Sequence, residues 1–544
     1  MKEVQTKNAA ASQAKNAKAT KPVLNGNKVK ASDVKKPAAK TNDVKAPIKK
    51  TVTAKASDIK KTSVGQNKVK KDGQQKKAIL FAASECLPFI ATGGLGEVIG
   101  SLPKSLAKMP DYDIRVVLPL YSEIDASFRK RMAFLGSINT PLGWRTQYCG
   151  LFCIEENNVK YYFIDNEYYF KREGVYGHFD DGERFAYFSR SVLEILSFIN
   201  FYPDVIHCND WQTALIPVYL KSIYSSWYSF DEIKTVFTIH NIEYQGKYSM
   251  DIIEDVFGIS KMASHLLEYQ GVINLVKGAI QCADIVSTVS PTYASEILSP
   301  YFSHDLHHIL EANKNKIRGI LNGIDTNSYN PKIDTALFAN YSADDFTNKA
   351  INKAELQKML NLPIDANIPI LAIISRLVPH KGLDLVKCVI EELLQKKIQV
   401  VILGKGDSIY ENYFIDLQKI FVDKVRTIIS YNSDLARKIY AGSDMFLMPS
   451  KSEPCGLSQM IASRYGAVPI VRQTGGLYDS INDDNGFTFS NYNAHEMLYK
   501  IISALELYEN KQEWSKLVKK VMKTDFSWDK SALEYVNMYN FLMN

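Results

Sequence analysis

The stretch PILAIISRLVPHKG (369–382) carries the pattern on which the fold turns. A near-continuous apolar run runs into a polar turn, and the helical pattern LDLVKCVIEEL (383–393) follows. Such a run does not alternate between core and water, so it reads as a strand buried on both faces, the habit of parallel sheets covered by helices. The same grammar continues downstream in IQVVILGKG (398–406), VRTIISYN (425–432), SDMFLMPS (443–450) and AVPIVRQTGG (467–476), with IRGILNG (317–323) placed at the head of this series. Upstream lies a second series: AILFAAS (78–84), IRVVLPL (114–120), DVIHCND (204–210), KTVFTIHN (234–241) and ADIVSTVSP (283–291). Two series predict two α/β domains, each a doubly wound parallel sheet. In such sheets ligands bind beyond the carboxyl ends of the strands.

Composition sets the frame around these strands. At 544 residues the chain exceeds what one hydrophobic core serves. The net charge of +7 is an average over unlike parts. Residues 1–77 hold 21 lysines, no arginine and five acids, a net of +16, which leaves −9 for residues 78–544. The segment 1–77 has no Phe, Tyr or Trp and reads as a disordered basic tail, either a solubilising segment or an electrostatic tether for nucleic acid, an anionic surface or an acidic partner. No apolar run is long enough to span a membrane, and the first 30 residues lack the apolar core of a secretory signal. Seven scattered cysteines suggest reduced thiols and a cytoplasmic setting; Cys149 and Cys153 form the one close pair, which fits core packing better than a zinc site.

The candidate chemistry collects at strand ends. Thr92, Gly93 and Gly94 open an apolar helix, where glycines let a phosphate or sugar approach backbone N–H groups, although a tight turn without a ligand fits the same residues. Thr474, Gly475, Gly476 and Leu477 repeat that motif in the second series, and the two segments could face each other across a cleft. Arg376 and Lys381 lie five residues apart on one loop and could hold a diphosphate, or form a solvated basic loop. Glu453 follows an apolar strand and precedes Pro454 and Gly456, a place where a carboxylate can meet sugar hydroxyls or developing positive charge. His240 and Asn241, and Asp210 and Trp211, close two further strands; Tyr431 closes another and could stack on a nucleotide base. Trp144, Tyr168, Tyr169 and Tyr176 could stack on sugar rings, with ordinary core packing as the alternative. No H-E-x-x-H or P-loop motif is present.

Ten segments in order, TGGLGEVIGSLP (92–103), DDGERFAYFSR (180–190), HCNDWQTAL (207–215), TIHNIEYQG (238–246), VSPTYASEI (289–297), GILNGID (319–325), SRLVPHKGLD (375–384), PSKSEPCGLSQM (449–460), YGAVPIVRQTGGLYD (465–479) and DFSWDKSALEY (525–535), resemble the bacterial glycogen synthases and plant starch synthases. These are retaining glucosyltransferases of the GT-B fold, glycosyltransferase family 5. The resemblance implies an N-terminal Rossmann-like domain over 78–316, a nucleotide-sugar domain over 317–525, and a final helix over 526–544 that packs back on the first domain. It implies transfer of glucose from ADP-glucose to the non-reducing end of an α-1,4-glucan, with no cofactor and no metal. By the same resemblance Arg376 and Lys381 bind the donor diphosphate, and Glu453 contacts the transferred glucose. His240 lies against that glucose with its carbonyl toward the anomeric carbon, and Asp210 and Asn322 help hold donor and acceptor. Tyr431 stacks on the base; Thr92, Gly93, Gly94, Cys455, Gly456 and Leu457 line the donor; Thr474, Gly475 and Gly476 offer amides to the distal phosphate. The second acid of an E-x7-E pair is not expected in this branch, and Ile461 stands there.

Two departures matter. Ala91 occupies the position of the lysine in K-T-G-G-L, which puts donor affinity and nucleotide preference in question, and Glu97 stands where Asp is common. The alternatives are a related GT-B transferase using UDP-glucose or another acceptor, and a non-catalytic glucan-binding scaffold.

Overall fold

The computed structural model describes residues 76–227 and 229–544. The tail expected over 1–77 therefore lies, up to residue 75, outside the described residues, whereas Lys77 is the first residue of a strand.

Among the described residues eighteen strands follow in chain order: β1 Lys77–Ala82, β2 Tyr112–Pro119, β3 Ala133–Leu142, β4 Arg145–Glu156, β5 Val159–Asp165, β6 Val205–Asn209, β7 Lys234–Ile239, β8 Lys247–Tyr248, β9 Glu268–Tyr269, β10 Val272–Asn274, β11 Ile285–Thr288, β12 Ile317–Gly319, β13 Ile370–Ile374, β14 Gln399–Gly404, β15 Val425–Ile429, β16 Met445–Met448, β17 Val468–Arg472 and β18 Phe487–Phe489. The first sheet has nine strands in the order β12-β11-β7-β6-β1-β2-β5-β4-β3, and the second has six in the order β15-β14-β13-β16-β17-β18. The second is parallel throughout. The first is parallel from β12 to β5 and ends in the antiparallel meander β5-β4-β3. Burial follows from the apolar runs: every residue of β6, β11, β14 and β16 is buried, as strands with helices on both faces require. β8, β9 and β10 form a small separate antiparallel sheet.

One strand sits on the other side of the expected boundary. The pattern of IRGILNG assigns it to the head of the second series, yet Ile317–Gly319 pairs in parallel with β11, Val286 opposite Ile317 and Thr288 opposite Gly319. The segment is the edge strand of the first sheet, so the first domain extends past Lys316. Its three residues are only half-buried, because an edge strand has one neighbour, and so they lack the fully apolar signature of the central strands.

The chain then crosses to the second domain and returns. The helix Trp528–Met543 lies on the first domain, against the helix Gly94–Ala107. Ile324 N–H donates to the Phe526 carbonyl where the outgoing and returning segments meet. The Tyr539 hydroxyl lies 2.7 Å from His207 Nδ1, whose Nε2 lies 2.5 Å from Thr238 Oγ1, all buried beneath the sheet. Burial, with a smaller contribution from His240, pushes the His207 imidazole down to about 3, so it is neutral and uses both ring nitrogens in hydrogen bonds. Among the described residues no helix is long and apolar enough to cross a membrane, and all seven cysteines are free.

The returning helix is thus cemented by both packing and one buried polar chain. Tyr539→Phe should cost about 1 kcal/mol by leaving His207 Nδ1 without its partner. Tyr539→Ala should cost about 3–5 kcal/mol through the lost ring. Urea midpoints measure both, and equal midpoints for the two variants would refute this division.

Candidate active site

The first-domain half of the site is built on the ends of β1, β6 and β7. Immediately after β1, Glu85 gathers the glycine loop. Its carboxylate accepts from the Thr92 and Gly93 amides, from Thr92 Oγ1 at 2.8 Å and from the Tyr176 hydroxyl at 2.6 Å. Gly93 and Gly94 border open space: a Cβ at either would meet no atom within 4 Å. They are therefore not needed for packing, and the room above them is available to a bound molecule. Glu97, one turn into the helix, accepts from the Tyr329 hydroxyl at 3.2 Å, and burial raises its carboxyl above the ordinary range.

After β6 the backbone turns at Asp210, which has a φ of +56°. This places its carboxylate at the end of β7, where Oδ1 accepts from the His240 amide at 2.7 Å and from Asn241 N–H at 3.5 Å. Burial pushes the Asp210 carboxyl up to about 7, against the pull of those two donors. His240 Nε2 lies 2.9 Å from Asn209 Oδ1, and burial lowers the imidazole to about 3, so it is a neutral ring.

The second-domain half rises from β13, β16 and β17. Lys381 Nζ lies 2.6 Å from Glu453 Oε2, and Ser450 Oγ donates to the same oxygen at 2.9 Å. Burial pushes the Glu453 carboxyl up, but the Lys381 charge and the hydrogen bonds from Lys381 and Ser450 outweigh it and hold the group below the usual carboxylate range. The two loops touch through Gly382, whose φ is +73° and at which a Cβ would overlap the Pro449 carbonyl. Arg376 is exposed and its guanidinium has no hydrogen-bond partner among the described residues. Tyr431 is 96% exposed, set against neither domain's core.

The halves meet. Ser290 Oγ donates to the Pro454 carbonyl at 2.6 Å, and Thr292 donates to Asp479 through both its amide and its hydroxyl at 2.8 and 2.7 Å. The Asn322 amide faces the Cys455 sulfur, and burial pushes that thiol up to about 12. Asn322 Oδ1 is buried with no partner, an open acceptor beside the Glu453 loop.

The two Thr-Gly-Gly segments are not equivalent. The Gly475 amide donates to Glu296 Oε1 and the Gly476 amide to the carbonyls of Glu453 and Pro454. A Cβ at Gly475 would overlap the Glu453 carbonyl and one at Gly476 the Cys455 carbonyl. These glycines serve close backbone packing, so the distal-phosphate role expected of Gly475 and Gly476 is not open to their amides as placed. The stacking residues also divide. Trp144 and Tyr168 are exposed, whereas Tyr169 is buried on Glu183 and Tyr176 is tied to Ser84 and Glu85. Glu85, Ser450 and Glu296 escaped the sequence reading. The first two follow buried strands and obey the strand-end rule, while nothing in the spacing marks Glu296.

With a folded-state pKa above its unfolded value, Asp210 binds a proton in the native state that the unfolded chain has already released. Its contribution to stability is present below about pH 4 and is lost as pH rises to about 7. Urea unfolding of the wild type and Asp210→Asn across this range should show the wild type losing ground to the variant as pH rises; a constant difference would refute it.

Known families bear on this geometry. Residues 78–312 match the family model for the starch synthase catalytic domain, and residues 357–521 that for glycosyl transferases group 1. The chain is 47% identical over 474 residues to the glycogen synthase of Anoxybacillus flavithermus, covering 86% of this chain and 98% of that one. It is 50% identical over 472 residues to that of Clostridium acetobutylicum, covering 85% and 99%. Among solved structures it is similar to the catalytic domain of starch synthase IV from Arabidopsis thaliana bound to ADP and acarbose, with a TM-score of 0.79 and 35% identity over 86% of this chain and 99% of that one. A sucrose-phosphate synthase from Thermosynechococcus elongatus, at 16% identity and a TM-score of 0.55, shares the fold. Two parallel-sheet domains joined at strand ends, matched along nearly their whole length, place this chain in the glycogen synthase and starch synthase family of GT-B glycosyltransferases.

Proposed function

We propose that this protein transfers glucose from ADP-glucose to the 4-hydroxyl at the non-reducing end of an α-1,4-glucan, with retention of configuration. The observation that carries the reading is the largely shielded Lys381–Glu453 pair on a rim that also presents the free guanidinium of Arg376 and faces Asn322 and Ser290 of the other half. The hard step is departure of the nucleoside diphosphate. Arg376 and Lys381 are fixed positive charges placed to neutralise it, and such preorganised charge acts most strongly where water is excluded. Glu453, kept ionised by Lys381, is an acceptor for glucose hydroxyls and a counter-charge for the electron-poor anomeric carbon. His240 is neutral and so adds no competing positive charge at that carbon. Asp210 orients the His240 and Asn241 backbone, and the unfilled Asn322 Oδ1 is suited to a sugar hydroxyl. Open space over Gly93 and Gly94 leaves room for the donor phosphates. Tyr431, exposed as it is, is free to fold over an adenine ring. The exposed rings of Trp144 and Tyr168 are suited to stack on glucan. The cytoplasm is the compartment this reading implies.

A second donor is kept in view by one residue. Ala91 leaves the loop without the cation its relatives' motif carries, and a missing charge–phosphate contact is worth about 1–3 kcal/mol. UDP-glucose is therefore the donor to run beside ADP-glucose.

Nucleoside diphosphate release with glycogen as acceptor tests the reading. ADP-glucose should turn over faster than UDP-glucose, and no turnover with either would sink the assignment. Lys381→Ala should lower kcat by about 100-fold or more, the scale of losing one preorganised charge donor; near-normal kcat would remove Lys381 from the mechanism. Ala91→Lys should lower the KM for ADP-glucose about fivefold or more, and an unchanged KM would show that the remaining cations already suffice.

A further inference from the structure

The second Thr-Gly-Gly segment has no room for a side chain at either glycine, and what occupies the Gly475 amide comes from the other domain. Glu296 ends the helix Pro291–Glu296, which follows β11 in the first domain. Its Oε1 accepts from Thr474 Oγ1 at 2.8 Å and from the Gly475 amide at 3.1 Å. Burial raises the Glu296 carboxyl, and those two donors with the nearby Arg472 charge work against that rise. Its other oxygen is buried with no partner, as is Arg472 Nε.

Thr474 and Gly475 in turn lie directly beneath the Glu453 loop. Gly475 adopts a φ of +43° and Gly476 hydrogen-bonds to the Glu453 and Pro454 carbonyls, with no space for a side chain at either. Arg472, just before them, donates to the Ser450 and Lys451 carbonyls at 3.1 and 2.9 Å, gripping the same loop at its near end. The path from Glu296 to Glu453 is therefore two hydrogen bonds and one backbone-to-backbone contact. The Ser290–Pro454 and Thr292–Asp479 bonds flank it across the same interface.

We propose that Glu296 is a positioning residue for the transfer reaction. Reaching from the first domain, it fixes the Thr474–Gly475 strut on which residues 450–456 rest. The Glu453 carboxylate is thereby held in register only when the two domains are docked. Glu296 does not touch the substrate; it makes placement of the second-domain carboxylate depend on the first domain. This inference rests on the glucosyltransferase reading above.

The test pairs kinetics with hydrogen–deuterium exchange on the full chain. Glu296→Ala should lower kcat about tenfold while the KM for ADP-glucose changes less than threefold, and should raise exchange in the segment 449–457. Glu296→Gln keeps the acceptor for Thr474 and Gly475 and should restore at least half of the wild-type kcat and the wild-type exchange. Exchange at 449–457 unchanged in Glu296→Ala, a loss carried mainly by KM, or a Gln variant as damaged as the Ala variant would each overturn the proposal. Should Glu296→Ala not fold, Thr474→Val removes only the hydroxyl arm and should move kcat and exchange in the same direction by less; no movement in either overturns it. Should the wild type transfer no glucose, the function fails, and exchange alone still decides whether the strut exists.

Discussion

A carboxylate and an ammonium held 2.6 Å apart and largely shielded from water constrain the rim of the second domain. Neither Lys381 nor Glu453 is stable in such a place alone, because burying an unpaired charge costs several kcal/mol. The surrounding backbone is arranged to keep them together. Gly382 lets the lysine loop lie on the Pro449 carbonyl, Ser450 completes the carboxylate's hydrogen bonding, and Gly475 and Gly476 let a second backbone segment support Glu453 from below. Three glycines with no tolerance for a Cβ thus surround one ion pair. The parallel sheet supplies the rest of the geometry, since β13, β16 and β17 are neighbours or near neighbours and their carboxyl ends deliver these loops to one rim.

The sequence was legible where burial was complete. Central strands such as β14 and β16 are apolar along their length because helices cover both faces, so their ends, and with them Lys381, Glu453, Asp210 and His240, could be placed from the pattern alone. It failed at an edge, where β12 has one neighbour and a half-buried composition that the period does not reveal. It also failed at the two Thr-Gly-Gly segments. Identical residues open a helix in both places, but one pair of glycines faces empty space and the other is pressed against carbonyl oxygens. That difference belongs to the tertiary neighbours, and local sequence does not encode it. Glu296 was invisible for the same reason: its partners lie 178 and 179 residues away.

The charge of the chain gains meaning only after it is located. Residues 78–544 carry −9, a field that opposes approach of an anionic sugar nucleotide. Binding must then come from short-range, desolvated contacts, which salt screens far less than it screens the long-range field. On the proposed function Arg376 and Lys381 are such contacts, and both lie on the second domain. On the first domain the corresponding loop presents Ala91 and a carboxylate, Glu85, that already occupies the Thr92 and Gly93 amides. On that proposal donor recognition is weighted toward the second domain.

That asymmetry gives the contact between the domains a larger share of the work. If the donor phosphates are gripped from one side, the first domain contributes to the reaction mainly through His240, Asp210 and the acceptor. Their placement relative to Glu453 is set by the Ser290, Thr292 and Glu296 bonds. His240 is neutral and Glu453 is kept ionised by its lysine, so neither changes charge near neutral pH. Asp210, with its carboxyl pushed up to about 7, does, and it bonds to the backbone of His240 and Asn241. Protonation of Asp210 would weaken its hold on that backbone and leave Arg376 and Lys381 untouched. Acid should accordingly impair the alignment of glucose before it impairs the binding of the nucleotide.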